Sequence, residues 1–402
     1  MNLKVTVLCH ETPFPPSHGG RADMWRRLVA MKKRGVEIQL ISWDYGDLTE
    51  DRATAIKNVV ADHYYIPLER TISFRAQHLL GLLRYPWFAS IRWPKPLLPS
   101  ITQSVKNFRP DFIFLDGWHG ALLAFHLRDT LTLPFYYRSH NIEHQYIHAQ
   151  HKHAVTLRSR LVTYIAGFNV QSLEYKIVNG ADKVYDISVD DIKFWNNHGY
   201  RHIEHLPPLF CTEAAQPFPV SIAKYDLVFL GNLYTTNNVA GVKWLVDHVM
   251  PIVWHERPNT TLLIAGSNPS SGLCSYLNQI GNVILHLNPI DANEVLAWGR
   301  IALNPVTTAG GVQIKNVDML LSGRPIITKS AGIIGLPHDV RKCFLVADSI
   351  ADFASTILNA LTNPLYPCDA VKLGSYFGDE KINRFLQDIE RSLRHSRGRL
   401  AL

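Results

Sequence analysis

Cysteine is scarce in this chain. The five, Cys9, Cys211, Cys274, Cys343 and Cys368, are scattered and form no C-x-x-C pair. Neither a disulfide framework nor a thiolate zinc site is expected, and reduced, buried thiols in a cytosolic protein fit the set. Long apolar runs are missing as well. No window reaches about 18 uninterrupted apolar residues, so any membrane contact is expected to be peripheral. The opening residues reach His10 and Glu11 after one short apolar stretch, which reads as a first strand rather than a signal peptide. There is no internal repeat and no low-complexity tract.

Acidic residues are missing from one long segment. Residues 70–110 carry Arg70, Arg75, Arg84, Arg92, Lys95, Lys106 and Arg109 and no Asp or Glu. The whole chain has 41 basic and 34 acidic residues, a net charge of +7, so this segment accounts for the excess and the remainder sums to zero. A second basic run, Arg391, Arg394, Arg397 and Arg399, lies near the C-terminus.

The 402 residues are 47% hydrophobic and 19% charged, a globular composition. At about 100–200 residues per domain they suggest two or three domains. Short apolar runs alternate with helical patterns. Leu3–Cys9, Val36–Trp43, Phe112–Leu115, Phe135–Arg138, Val184–Ile187 and Ile203–Leu206 read as strands. Residues 21–34 and about 155–179 read as helices. Pro207, Pro208, Pro217 and Pro219 crowd a span without periodicity, the best linker candidate. Alternation then restarts with strands at Leu227–Leu230, Thr261–Ala265, Val283–His286, Ile301–Leu303 and Ile326–Thr328. The expected architecture is α/β: an N-terminal doubly wound domain over 1–206, a linker over 207–224 and a second doubly wound domain over 225–380. A C-terminal helix over 381–402 is expected to cross back to the N-domain. Ligands of such folds bind beyond the carboxyl ends of the strands, here in a cleft between domains.

Four segments could carry chemistry. Gly19-Gly20, after the first strand, is either an ordinary βα turn or a place where backbone approaches an anion. Asp116-Gly117-Trp118-His119-Gly120 follows a strand directly. The chain has 19 histidines, and position rather than identity sets His119 apart. Arg138-Ser139-His140-Asn141-Ile142-Glu143 is either a polar cap on the next helix or a source of cleft residues. The strongest segment runs from Thr308 to Pro325. Gly310 and Gly311 offer backbone N–H groups at a helix start, with Val312 beside them; Lys315 lies one turn in, and Asp318 follows three residues later on the same face. N–H groups and a cation suit a diphosphate, and a carboxylate suits hydroxyls.

That segment, ending Ser-Gly-Arg-Pro-Ile-Ile-Thr, resembles the donor-binding motif of family 4 glycosyltransferases. These are retaining enzymes of the GT-B fold, with two Rossmann-like domains and nucleotide-activated sugars as donors. Pro13–Gly20, Arg138–Glu143, Ala181–Asp190 and Leu227–Leu233 with Asn237-Asn238 resemble further family segments in order, so the likeness spans most of the chain. It implies that Gly20 lies against donor diphosphate or acceptor and that His119 contacts the transferred sugar. It implies that Lys315 and the Gly310–Ile314 backbone hold the diphosphate, and that Asp318 binds the nucleotide ribose. Gly231 and Asn232 stand in the first loop of the C-terminal domain, where many members have Gly-Arg. Gly310 replaces the family's first glutamate, and Asp318 its second. Lys243 or Arg138 would then supply missing positive charge.

The implied activity is transfer of a sugar from a nucleoside diphosphate sugar to a hydroxyl of a glycan or polyprenyl-diphosphate-linked acceptor, in bacterial surface polysaccharide synthesis. No metal and no further cofactor are expected. Gly19, Arg138, His140, Asn141 and Glu143 are candidates for the acceptor side. The cations of 70–110, interleaved with Phe74, Tyr85, Trp87, Phe88, Trp93 and Phe108, suit an anionic membrane surface at the inner face; the other reading is a helical pair with an ordinary basic face. Nucleic-acid base glycosylation and a non-catalytic GT-B protein are the alternatives, and no recognised nucleic-acid motif supports the former.

Overall fold

The computed structural model describes residues 3–152, 156–210, 222–289, 291–307, 311–363 and 370–400. The chain forms two compact units. The first comprises Met1–Pro16, Gly20–Pro207 and Lys381–Leu402; the second comprises Ser17–Gly19 and Pro208–Glu380.

The first unit is built on a seven-stranded, wholly parallel sheet in the order β3-β2-β1-β4-β5-β6-β7. Its strands are β1 (Lys4–Cys9), β2 (Glu37–Tyr45), β3 (Asp62–Leu68), β4 (Phe112–Asp116), β5 (Phe135–Ser139), β6 (Lys183–Asp186) and β7 (Ile203–His205). Every residue of β4 and β5 is buried, as expected for central parallel strands covered by helices on both faces. The second unit has a six-stranded parallel sheet in the order β10-β9-β8-β11-β12-β13. These are β8 (Tyr225–Leu230), β9 (Leu262–Gly266), β10 (Val283–Leu287), β11 (Gly299–Asn304), β12 (Ile326–Thr328) and β13 (Phe344–Val346). In both sheets the strand order reverses once, at β1/β4 and at β8/β11. These are the switch points beside which doubly wound folds bind ligands.

Helix Asp379–Leu400 supplies Ile382, Phe385, Ile389 and Leu393 to the core of the first unit. The spacing of three and four residues puts all four on one helical face. Phe385 packs edge-on against Phe114 (5.4 Å) and Tyr185 (4.8 Å). Asp388 accepts a hydrogen bond from the Tyr185 hydroxyl at 2.6 Å and pairs with Lys183 at 2.6 Å.

Several sequence expectations are corrected. The single helix expected over 155–179 is two, Leu157–Gly167 and Val170–Gly180, broken where Asn169 takes a left-handed conformation (φ 59°). The edge strands β3 and β13 were not anticipated. In the proline-rich span, Leu209 and Phe210 are buried, and Phe210 joins the core of the second unit; residues 211–221 lie outside the described set. Cys343 is disulfide-bonded, against the expectation of reduced thiols, because sequence spacing does not report proximity in the fold. Cys9 and Cys274 are free. Among the described residues no helix is long and apolar enough to cross a membrane.

Candidate functional site

Each unit carries a polar cluster at its switch point. In the first unit the cluster forms beyond the carboxyl ends of β1, β4 and β5. His10 follows β1, and its ring stacks on His119 with centroids 4.6 Å apart. His140, after β5, meets His10 edge-on at 6.2 Å. The other flank of His119 is aromatic, with Trp118 stacked at 4.3 Å and Phe88 at 5.6 Å. Gly117 makes this closeness possible. Its φ of +83° disfavours an L side chain, and a Cβ there would lie 2.8 Å from His10 Nδ1.

Beneath the imidazoles lies a buried ion cluster. Asp23 and Arg27 are one turn apart on helix Gly19–Lys33, and Arg27 Nη2 donates to Asp23 at 2.9 Å and to Asp116 at 2.7 Å. Arg138 Nη2 reaches the same oxygen of Asp23 at 3.2 Å. His140 Nε2 lies 2.7 Å from Asp116 Oδ1. Burial opposes ionisation of Asp116, but Arg27 and the His140 hydrogen bond outweigh it and hold the carboxyl below its usual range. An ionised Asp116 accepts, so His140 donates from Nε2 and its tautomer is set. Burial, reinforced by His10 and Arg92, drives His119 well below the usual imidazole range. At neutral pH His119 is therefore an uncharged imidazole that can donate or accept one hydrogen bond. Its Nδ1 has no hydrogen-bond partner among the described residues.

The expected acceptor-side residues separate. His140 joins the cluster. Arg138 is fully buried and committed to Asp23 and the Ser139 carbonyl, so it is not an exposed phosphate ligand. Glu143 is buried 3.3 Å from the Asn141 amide, and burial with Glu174 nearby pushes its pKa up to about 8. Gly19 and Gly20 form the first turn of helix Gly19–Lys33.

In the second unit, Gly231 and Asn232 follow β8. The Asn232 carbonyl accepts from Asn238 Nδ2 at 2.9 Å, and Asn238 Oδ1 accepts from Lys315 Nζ at 2.8 Å. The ammonium also sits 5.1 Å from the Phe229 ring centroid. Burial lowers the Lys315 pKa to about 7, so the site holds a cation that a nearby anion would stabilise. The helix carrying it is Ile314–Leu321, with Gln313 as N-cap. It starts later than the glycine pair implies, so Lys315 is its second residue rather than one turn in. The reason is local. Gln313 is extended, and its side chain accepts from Asn304 Nδ2 at 3.0 Å instead of continuing the helix backward. The same Asn304 amide donates to Asn316 at 2.9 Å. Gly311 and Val312 lead into this turn; Gly310 lies outside the described residues. Asp318 is buried, on the same helix. Lys243 lies over Tyr276, with Nζ 5.7 Å from the ring centroid.

Sequence reasoning missed His10, the Asp23–Arg27 pair and the Asn304–Gln313–Asn316 network. An Asp and an Arg four residues apart on an otherwise apolar helix face would have marked the pair, and the carboxyl end of β1 would have marked His10. The network left no signal, because nine or more residues separate Asn304 from its partners.

Residues 224–363 match the family model described as glycosyl transferases group 1. A Klebsiella pneumoniae protein, described as an uncharacterized 44.6 kDa protein in the cps region, is 24% identical over 379 residues, covering 90% of this chain and 91% of that one. Among solved structures, Anabaena HepE in complex with UDP and glucose is similar with TM-score 0.64 at 12% identity, over 97% of this chain and 100% of that one. Sucrose-phosphate synthase from Thermosynechococcus elongatus gives TM-score 0.70 at 13% identity, over 98% and 100%. At such identities the structural likeness speaks for the fold. The chain therefore has the GT-B fold, and its second unit matches the group 1 glycosyltransferase model over residues 224–363.

Proposed function

We propose that this enzyme is a retaining transferase that moves a sugar from a nucleoside diphosphate sugar to a hydroxyl of a glycan or lipid-linked acceptor in surface polysaccharide synthesis. The observation that carries the reading is Lys315, a partly buried cation beside Gly231 and Asn232 at the β8/β11 switch point. The UDP held by Anabaena HepE favours a uridine donor, and the cps region of the Klebsiella relative favours the polysaccharide setting.

In this reading the bond between the anomeric carbon and the diphosphate oxygen breaks, and the bond to the acceptor oxygen forms. The acceptor's proton leaves with the diphosphate. Charge building on the departing diphosphate is stabilised by Lys315 and by the backbone N–H groups at the start of helix Ile314–Leu321. Asp318 binds the ribose, and neutral His119 contacts the transferred sugar. No metal takes part. The lipid-linked acceptor implies peripheral contact with a membrane. The segment 70–110 supplies cations for it, but Phe74, Tyr85, Phe88 and Trp93 pack against the first unit's core, and Arg92 is buried.

A thermal-shift panel of UDP-, GDP- and dTDP-sugars, followed by transfer assays with and without EDTA and an anomeric assignment of the product, tests the reading. Stabilisation by a UDP-sugar and EDTA-resistant transfer with retained configuration are expected. Binding without transfer to any glycan or lipid-linked acceptor would point to a non-catalytic protein instead.

A further inference from the structure

Helix Leu157–Gly167 is well formed and yet contains no buried residue. Its N-terminus is closed by a capping box: Thr156 Oγ1 accepts from Ser159 N at 3.1 Å, and Ser159 Oγ accepts from Thr156 N at 3.1 Å. It rests on the rest of the first unit through small and polar residues. Gly167 closes on Ile147, Ala166 packs against the core, and Thr163 meets His151 Nδ1 at 3.0 Å. Large apolar side chains are exposed, Leu157, Leu161, Val162 and Ile165 on the helix, with Tyr164 and Phe168 also bordering the groove beside it. Leu157 is 85% exposed, Leu161 61%, Val162 57%, Tyr164 65%, Ile165 39% and Phe168 45%. Leu157, Leu161 and Ile165 recur every four residues and form one stripe along the helix.

A stripe of this size on a monomer's surface marks an interaction site. The charge around it identifies the partner. Exposed Lys152, Arg158 and Arg160 flank the stripe, and there is no Asp or Glu from His144 through Leu173. An apolar stripe edged by cations alone matches an anionic lipid surface, where side chains enter the acyl boundary and arginines meet headgroup phosphates. A second copy of the same face would bring like charges together. We propose that helix Leu157–Gly167 is an interfacial anchor that seats the first unit on a bilayer containing anionic phospholipid. A cavity of about 1000 Å³ lies between this helix and helices Glu143–Lys152 and Val170–Gly180, lined in part by His148, His151 and Tyr164.

The inference is independent of the donor and acceptor assignments. Its test is co-sedimentation of the full chain with phosphatidylcholine vesicles, with and without phosphatidylglycerol. Wild type is expected to bind the anionic vesicles and to release them as salt is raised. Leu161→Glu combined with Ile165→Glu should lower the partition coefficient at least about tenfold, and Arg158→Glu with Arg160→Glu should do the same, because both apolar insertion and headgroup attraction are needed. Lys32→Glu with Lys57→Glu, exposed cations elsewhere on the first unit, should leave it within about twofold of wild type. Melting temperature and UDP binding, measured on each variant, separate loss of anchoring from loss of fold. Leu161→Ser with Ile165→Ser replaces the carboxylate pair if that variant does not fold. Wild-type binding by the Leu161/Ile165 variants overturns the proposal. So does absence of wild-type binding to anionic vesicles. A concentration-dependent dimer that the same substitutions dissolve would assign the stripe to self-association instead.

Discussion

Arg27 gives both Nε and Nη2 to a single oxygen of Asp116, at 3.0 and 2.7 Å, with both side chains almost wholly buried. Asp116 spends its other oxygen on His140. The helix Gly19–Lys33 and the end of β4 are thus tied by one charged contact that also sets an imidazole of the candidate site. Removing one member of a buried pair strands the other charge, at a cost of about 3–5 kcal/mol. Arg27→Met should lower the unfolding free energy by that amount in urea titrations, whereas Lys32→Met, on the exposed side of the same helix, should stay within about 0.5 kcal/mol.

His119 is held neutral and aimed by its aromatic neighbours rather than by an ion pair. A group that contacts the transferred sugar as charge develops affects turnover more than ground-state binding. His119→Ala should reduce kcat about 10²–10³-fold with little change in donor affinity by calorimetry. Unchanged turnover would remove His119 from the reaction.

In the proposed role as diphosphate ligand, Lys315 connects nucleotide binding to protons. With its pKa near 7, the free enzyme loses the ammonium as pH rises, and a bound diphosphate draws a proton back. Affinity for UDP should therefore weaken from pH 7 toward pH 9, with proton uptake on binding seen as a buffer-dependent enthalpy. Lys315→Met should weaken binding about ten- to hundredfold and flatten that pH profile.

Much of the fold is legible because central parallel strands are buried on both faces and stand out as continuous apolar runs, as β4 and β9 do. The edge strand β3, Asp-His-Tyr-Tyr-Ile-Pro-Leu, is not, since its mixed burial leaves no such run. The break at Asn169 is invisible because both flanking helices keep a helical pattern and one left-handed residue separates them. At the candidate site, His119 and Lys315 are found from position, one beyond a strand and one beyond a glycine pair. The partner His10 is not, because only the folded register of β1 with β4 brings it close; Asn238 stands in a segment the sequence marks, but its contact with Lys315 is made by the fold.

Glu143 makes a separate pH test. Burial and Glu174 raise its folded pKa to about 8, against an unfolded value near 4.3. The folded state favours the protonated form, so this contribution to stability is complete below about pH 4.3 and is lost as pH rises through about 8. Glu143→Gln keeps the shape without the titration. Its melting temperature should approach that of wild type at pH 5 and exceed it at pH 9. Parallel melting curves across that range would show that Glu143 does not titrate as described.

The C-terminal helix has a consequence for biosynthesis. Ile382, Phe385, Ile389 and Leu393 complete the core of the unit that the ribosome makes first, yet they are translated after the entire second unit. Until they emerge, Phe114 and Tyr185 lack the aromatic ring that covers them. The N-terminal half of a nascent chain therefore waits, with part of its apolar surface bare, for the codons of helix Asp379–Leu400, and the second unit is free to fold before the first is finished.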